Sequence, residues 1–286
     1  MDLCDVNELK PLLARHGFRF SKSMGQNFLI ASWVPERIAA ESGLDRACGV
    51  MEIGPGVGTL TRELSARAGR VVSVELDRAL LPVLAETLSD CPNTEVVPGD
   101  VLKLDLKALA AERLSGLRPC VCANLPYNIT TPVLTALLEA GCFTRLTVMV
   151  QREVAARICA APGAKDYGAF SVFCQYHARC EMLFDVPPEC FLPAPKVTSC
   201  VAALTPLAAP PVAVTDEGAF FAVVRAAFAQ RRKTLLNALS AAYASRYSKR
   251  ALGEVIAACG LREDVRGERL GLEEFAALAE RLGRPR

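Results

Sequence analysis

From about residue 49 onward, short apolar runs alternate with helical stretches, and this alternation constrains the fold more than any other feature of the chain. Gly49–Ile53, Arg70–Glu75, Thr94–Pro98, Pro119–Ala123 and Arg145–Gln151 read as strands. Helical patterning occupies about Thr59–Ala68, about Ala79–Ser89 and Thr131–Ala140 between them. Strand-to-strand repeats of about 22–26 residues suit βαβ crossovers, which predicts a mostly parallel α/β sheet. Further strands are expected within 170–185 and 197–205.

Of 286 residues, 51% are hydrophobic, enough to bury a sizeable core and exclude global disorder. Thr205-Pro206-Leu207-Ala208-Ala209-Pro210-Pro211 is uncharged and proline-rich, the composition of a linker. Two domains are therefore expected, 1–206 and 207–286, the second small and helical. In that tail Phe220, Val223, Val224, Ala227 and Phe228 fall on one helical stripe. Continuing the stripe would bury Arg231, so a break near Gln230 and a new helix from about Arg232–Thr234 are expected. Leu235, Leu236 and Leu239 would then supply the inner face of the new helix.

The twelve cysteines mostly stand singly in apolar stretches, without a C-x-x-C pair, and there are only two histidines. That pattern argues for reduced core thiols rather than a disulfide framework or a zinc site. The uncharged run Val197–Thr215 is interrupted by Pro206, Pro210 and Pro211, so no membrane helix is expected. Met1–Asp5 lacks the basic start and apolar region of a signal peptide, and a cytoplasmic location is expected.

The segment Val50-Met51-Glu52-Ile53-Gly54-Pro55-Gly56-Val57-Gly58-Thr59 runs a strand through glycines into a helix. Such a turn lets backbone amides approach a ligand at the carboxyl edge of a sheet. Its spacing is G-x-G-x-G, unlike the G-x-G-x-x-G dinucleotide fingerprint. Glu75 ends the next strand, where a carboxylate can accept both hydroxyls of a ribose. Asp100 follows the third strand, placed to meet an adenine amino group, and Asn124 ends the fourth. Together they describe a rim for an adenosine-containing cofactor.

Asn124-Leu125-Pro126-Tyr127 resembles the N-P-P-Y class of motif in S-adenosylmethionine-dependent enzymes that methylate exocyclic amines. An adenine amine is a poor nucleophile because its lone pair is delocalised into the ring. The Asn124 side-chain oxygen and the Leu125 carbonyl can accept its two hydrogens and favour a pyramidal nitrogen. Pro126 fixes the turn that aims the carbonyl, and Tyr127 offers an aromatic face. Alignment at about 3–3.5 Å would supply most of the catalysis.

Seven blocks in order resemble the KsgA-type small-subunit rRNA adenine dimethyltransferases along nearly the whole chain. They are Lys22–Leu29, Ile53–Thr59, Asn124–Ile129, Gln151–Ala155, Tyr167-Gly168, Phe191–Val197 and Phe228–Leu235. The resemblance implies a Rossmann-like class I S-adenosylmethionine-dependent methyltransferase, α/β with a small C-terminal helical domain. It implies cofactor contacts from Asn27, Leu29, Gly54, Gly56, Glu75, Asp100 and Asn124, and places Tyr127 and Phe191 around the target adenine. The implied substrate is a pair of adjacent adenosines in the terminal hairpin loop of small-subunit (16S) rRNA, each dimethylated. The implied setting is an assembling 30S particle, met by a monomer that needs no metal. Val57 lies at a variable position of the glycine loop, and Ser199 follows Val197-Thr198 where the family often has an acid before serine.

The net charge of +2 hides an uneven distribution. Residues 1–206 carry 20 Lys and Arg against 22 Asp and Glu, and 207–286 carry 13 against 9. Seven basic residues and no acid lie between Arg225 and Arg250, and Lys10, Arg15, Arg19 and Lys22 form another acid-free run. Lys22, Arg231, Arg232 and Lys233 are the expected phosphate contacts. A target adenine would have to leave its stack to reach Asn124. A large-subunit rRNA dimethylase of the antibiotic-resistance type shares the core motifs, but the Gln230–Leu235 block favours the small-subunit reading. A non-catalytic RNA-binding assembly factor is the other alternative, opposed by the intact Asn124–Tyr127 loop. A nicotinamide-dependent dehydrogenase is disfavoured by the glycine spacing.

Overall fold

The interior strand Cys48–Ile53 is buried at every position, as expected of a strand covered on both faces by helices. A computed structural model describes residues 1–20 and 24–285 of the chain. Its strands, in chain order, are β1 (Phe28–Leu29), β2 (Cys48–Ile53), β3 (Arg70–Glu75), β4 (Thr94–Pro98), β5 (Arg118–Asn124), β6 (Arg145–Gln151), β7 (Ala178–Val186), β8 (Phe191–Leu192) and β9 (Ser199–Pro206). Seven of them form one sheet in the order β4-β3-β2-β5-β6-β9-β7, and β1 pairs with β8 in a separate two-stranded ribbon. The β4/β3, β3/β2, β2/β5 and β5/β6 pairs are parallel, and β6/β9 is antiparallel.

The helices begin with α1 (Val6–Arg15), α2 (Trp33–Glu41), α3 (Thr59–Arg67), α4 (Leu81–Thr87), α5 (Leu106–Arg113) and α6 (Thr130–Ala140). They continue with α7 (Arg152–Cys159), α8 (Ala169–His177), α9 (Glu217–Ala229), α10 (Leu235–Tyr243), α11 (Lys249–Ala258) and α12 (Leu272–Leu282). All five strands read first from the sequence are present, because continuous apolar runs bounded by polar turns leave little choice of period. Helix α5 is an addition. It is short and only weakly amphipathic, and its clearest local signal is the Asp105 cap, whose carboxylate accepts from the Ala108 amide at 2.9 Å. Within 170–185 the strand occupies only the part from Ala178, and Ala169–His177 is helical.

By packing, the chain divides into two units, Met1–Ala155 with Cys180–Pro206, and Ala156–Arg179 with Leu207–Arg286. The boundary drawn from sequence put all of 1–206 in one domain. Residues 156–179 instead belong to the second unit, because Tyr167, Val172 and Tyr176 are buried in its core with Phe220, Val224 and Leu239. In that unit α9 ends at Ala229, Gln230 leaves helical geometry at φ −131° and ψ 66°, and Thr234 caps α10. The break keeps Arg231 at the surface while Leu235, Leu236 and Leu239 are buried. Among the described residues no helix is long and apolar enough to cross a membrane.

Candidate active site

Strand order reverses direction between β2 and β5, and in an open parallel sheet the crevice beyond such a point is where ligands bind. A cleft opens there. It is lined by the N-terminal segment Met24–Leu29, the Glu52–Val57 stretch, Glu75, Asp100 and the Asn124–Ile129 loop. Of the predicted cofactor and catalytic residues, Asn27, Leu29, Gly54, Gly56, Glu75, Asp100, Asn124, Leu125, Pro126 and Tyr127 all line this one cleft.

The glycines have conformational reasons for their positions. Gly54 and Gly56 hold φ of +68° and +62°, a region costly for residues with a Cβ. A Cβ on Gly56 would stand 3.1 Å from the Phe28 ring, whereas one on Gly54 would meet nothing nearer than Pro126 at 3.8 Å. Backbone at Gly54 is thus open on its cleft side, a cradle that fits a ligand approaching the main chain.

Glu75 is only 6% exposed, and its Oε1 accepts from the Asp77 amide at 2.7 Å. Burial pushes its carboxyl up to about 7, opposed by backbone donors that include Gly56 and Leu76. Asp100 accepts from the Leu102 amide at 3.1 Å and faces Lys103 at 3.5 Å. A buried carboxylate at one strand end, a half-buried one at the next and an open glycine turn form a donor set suited to ribose, adenine and a methionine moiety.

The Asn124–Ile129 loop is anchored from both sides. The Leu125 amide donates to the Met149 carbonyl at 3.1 Å, and the Pro126 carbonyl accepts from the Ile129 amide and the Thr130 hydroxyl, each at 3.2 Å. Asn124 Nδ2 donates to the Asn27 carbonyl at 3.4 Å. With the amino group so engaged, the Asn124 side-chain oxygen is left as an acceptor. The Tyr127 hydroxyl lies 2.6 Å from that of Ser199, and burial raises its pKa.

Four described residues of the predicted site lie outside the cleft lining. Phe191 is 2% exposed, pairs with Leu29 in the β1/β8 ribbon and packs in a cluster that includes Val34, Met149 and Val201. Arg232 and Lys233 belong to the second unit and are exposed, as is Arg231, whose guanidinium is bonded to backbone carbonyls. Lys22 lies outside the described residues. From the same N-terminal basic run, Arg15 is ion-paired with Glu86.

Other residues at the cleft escaped the sequence reading. Gln26 Nε2 donates to Asp77 Oδ2 at 2.7 Å, fastening the N-terminal segment to the turn that holds Glu75. Glu52 is fully buried, and its Oε2 accepts from the hydroxyls of Thr61 and Ser73, each at 2.7 Å. Burial pushes Glu52 up to about 7, with a smaller contribution from Glu75. A lone acid inside the apolar run Val50–Ile53 was its available signal. Ser199, fully buried, had none beyond its place in the block after Val197.

A mostly parallel sheet with a glycine turn after its first strand, acids at the ends of the next two and Asn-Leu-Pro-Tyr at the end of the fourth defines a class I S-adenosyl-L-methionine-dependent methyltransferase. The profile described as "Ribosomal RNA adenine dimethylase" matches residues 17–272, and the chain belongs to that family. It is 45% identical over 276 residues to the ribosomal RNA small subunit methyltransferase A of Alkaliphilus oremlandii (strain OhILAs), covering 96% of each chain. It is similar to the crystal structure of the 23S rRNA methyltransferase ErmE, with a TM-score of 0.66 and 28% identity over 90% of this chain and 99% of that one. A dimethyladenosine transferase from Plasmodium falciparum shares the fold, with a TM-score of 0.71 and 22% identity over 88% and 95% of the two chains. The chain is an rRNA adenine methyltransferase that uses S-adenosyl-L-methionine.

Proposed function

We propose that this enzyme dimethylates the exocyclic amines of two adjacent adenosines in the terminal hairpin loop of small-subunit (16S) rRNA, acting on an assembling 30S particle. The observation that carries the reading is one cleft shared by the adenosine-binding rim, Glu75 and Asp100, and the amine-binding loop, Asn124–Tyr127. The 45% identity to a small-subunit enzyme, against 28% to a large-subunit one, favours the small-subunit substrate.

When bound, S-adenosyl-L-methionine supplies an electrophilic methyl group on a sulfonium. Glu75 accepts hydrogen bonds from the ribose hydroxyls and Asp100 from the adenine amine, while Gly54 and Gly56 let main chain approach the methionine end. Asn27 and Leu29 close the cleft from the N-terminal side. The Asn124 oxygen and the Leu125 carbonyl accept the hydrogens of the target amine and turn its lone pair toward the methyl group. Tyr127 stacks on the flipped base, its ring held by Ser199. Phe191 supports this arrangement from beneath through Leu29. The proton lost from the amine after transfer passes to water, so alignment rather than a general base carries the rate.

Catalysis is assigned to the first unit and RNA docking chiefly to the second, with Arg232 and Lys233 on phosphates and Lys22 joining from the N-terminal segment. A cytoplasmic monomer is the form in which it meets the particle. Incubating the protein with labelled cofactor and under-methylated 30S particles should label adenine, and Asn124→Ala should reduce the rate by at least 100-fold, about 2.7 kcal/mol. Absence of label with folded protein and intact particles contradicts the proposal. Label confined to large-subunit RNA assigns the enzyme to the other substrate.

A further inference from the structure

The three consecutive cations between α9 and α10 do not share one task. Arg231 Nη2 donates to the carbonyl oxygens of Lys165 at 2.9 Å and Tyr167 at 3.0 Å, and the guanidinium stands 3.9 Å from the Glu268 carboxylate. The same 163–167 loop is held elsewhere in its unit. The Gly163 amide donates to the Glu268 carbonyl at 2.7 Å, and the buried Tyr167 hydroxyl donates to the Leu270 carbonyl at 2.8 Å. Arg232, Lys233 and Lys165 are different: all are exposed, and no hydrogen bond or ion pair engages their side chains among the described residues.

We propose that Arg231 is a positioning residue that clamps the 163–167 loop beside the 230–233 turn, so that Lys165 joins Arg232 and Lys233 in one cationic platform for RNA phosphates. The inference rests on the rRNA-methylating function and adds a contact, Lys165, that the basic run in the sequence does not contain. A guanidinium suits the clamp because it presents several fixed donors to carbonyl oxygens while staying charged. Lysine side chains act on phosphates as mobile point charges and need no fixed geometry. Asp166, the one carboxylate of the loop, opposes phosphates, so its removal strengthens binding.

The test is the affinity of the full-length protein for purified under-methylated small-subunit particles, measured between about 50 and 200 mM salt. Each lost phosphate contact lowers the slope of log affinity against log salt by about 0.7–0.9. Lys165→Gln is expected to lose one such increment, Arg231→Gln the same, and the double variant no more than either, because both remove the same contact. Asp166→Asn is expected to bind more tightly than wild type. Amides of residues 164–167 should exchange several-fold faster in Arg231→Gln than in wild type, with those of α12 unchanged, which reads the clamp without RNA and guards against a variant that fails to fold. A double variant that loses two increments makes Arg231 an independent phosphate contact and overturns the proposal. So does a Lys165→Gln slope equal to wild type, or unchanged exchange in Arg231→Gln. Wild-type protein that neither binds nor methylates the particles overturns the functional reading itself, a result distinct from each of these.

Discussion

The hydroxyls of Tyr127 and Ser199 lie 2.6 Å apart, joining the Asn124–Ile129 loop to the first residue of the antiparallel strand β9. The contact spans 72 positions of sequence and orients the ring proposed to stack on the target base. Tyr127→Phe keeps the aromatic face and is expected to lose no more than about 2- to 12-fold in activity, since one hydrogen bond is worth about 0.5–1.5 kcal/mol. Tyr127→Ala removes stacking worth roughly 1–3 kcal/mol, or about 5- to 150-fold in kcat/KM. Equal losses in the two variants, measured with saturating cofactor, would make the hydroxyl rather than the ring the working part.

Glu75 should make cofactor binding pH-dependent. Burial raises its carboxyl to about 7, and the proposed ribose hydroxyl donors would favour the ionised form. Affinity for S-adenosyl-L-methionine, measured by calorimetry, is therefore expected to increase as pH rises from 6 to 8. Glu75→Gln should bind more weakly at pH 8 and flatten the profile.

Glu52 should make stability pH-dependent in the opposite sense. Its folded value of about 7 lies above the ordinary 4.5, so the folded state holds a proton that the unfolded chain releases. The stability this provides is complete below about 4.5 and is lost as pH rises through about 7. Each tenfold change in proton affinity is worth about 1.4 kcal/mol. Cofactor-free Glu52→Gln, which keeps an acceptor for Thr61 and Ser73, should melt above wild type at pH 8 and show a smaller fall in Tm between pH 5 and 8. A wild-type Tm that falls no more steeply over that interval than the variant's would contradict this.

Gly54→Ala separates backbone strain from ligand contact. A left-handed alanine costs about 1–2 kcal/mol, and no protein atom lies nearer than 3.8 Å to the added methyl. The variant should fold, with a modest fall in Tm, yet lose cofactor affinity by more than tenfold because the methyl stands at the cleft. Unchanged affinity would remove Gly54 from the cofactor path.

The Gln26 to Asp77 hydrogen bond should hold the N-terminal segment over the cofactor. Gln26→Ala is expected to weaken cofactor binding by about 2- to 12-fold, the worth of one such bond, chiefly through faster release measured by stopped flow. An unaltered off-rate would make the bond incidental.

The sheet and the rim were legible because they are local. Continuous apolar strands, glycines needing positive φ and single polar residues at strand ends each leave their mark within a few positions of sequence. Connections between distant segments leave none: Gln26 to Asp77, Tyr127 to Ser199 and Arg231 to the Lys165 carbonyl join ordinary polar residues far apart in the chain. Charge runs were the least reliable guide. Arg231 and Arg246 donate to backbone carbonyls within the second unit and Arg15 pairs with Glu86, so a count of cations overstates the charge free for RNA. Phe191 shows the same limit for apolar residues, since its pairing with Leu29 puts the ring in the core.

Mass mapping of ribosomal RNA after reaction of under-methylated 30S particles with the purified protein tests the central claim most directly. The expected result is two added methyl groups on N6 of each of two adjacent adenosines in the terminal hairpin loop of the small-subunit RNA, and none with Asn124→Ala. Methylation at another nucleotide, or the same pattern from Asn124→Ala, would contradict it.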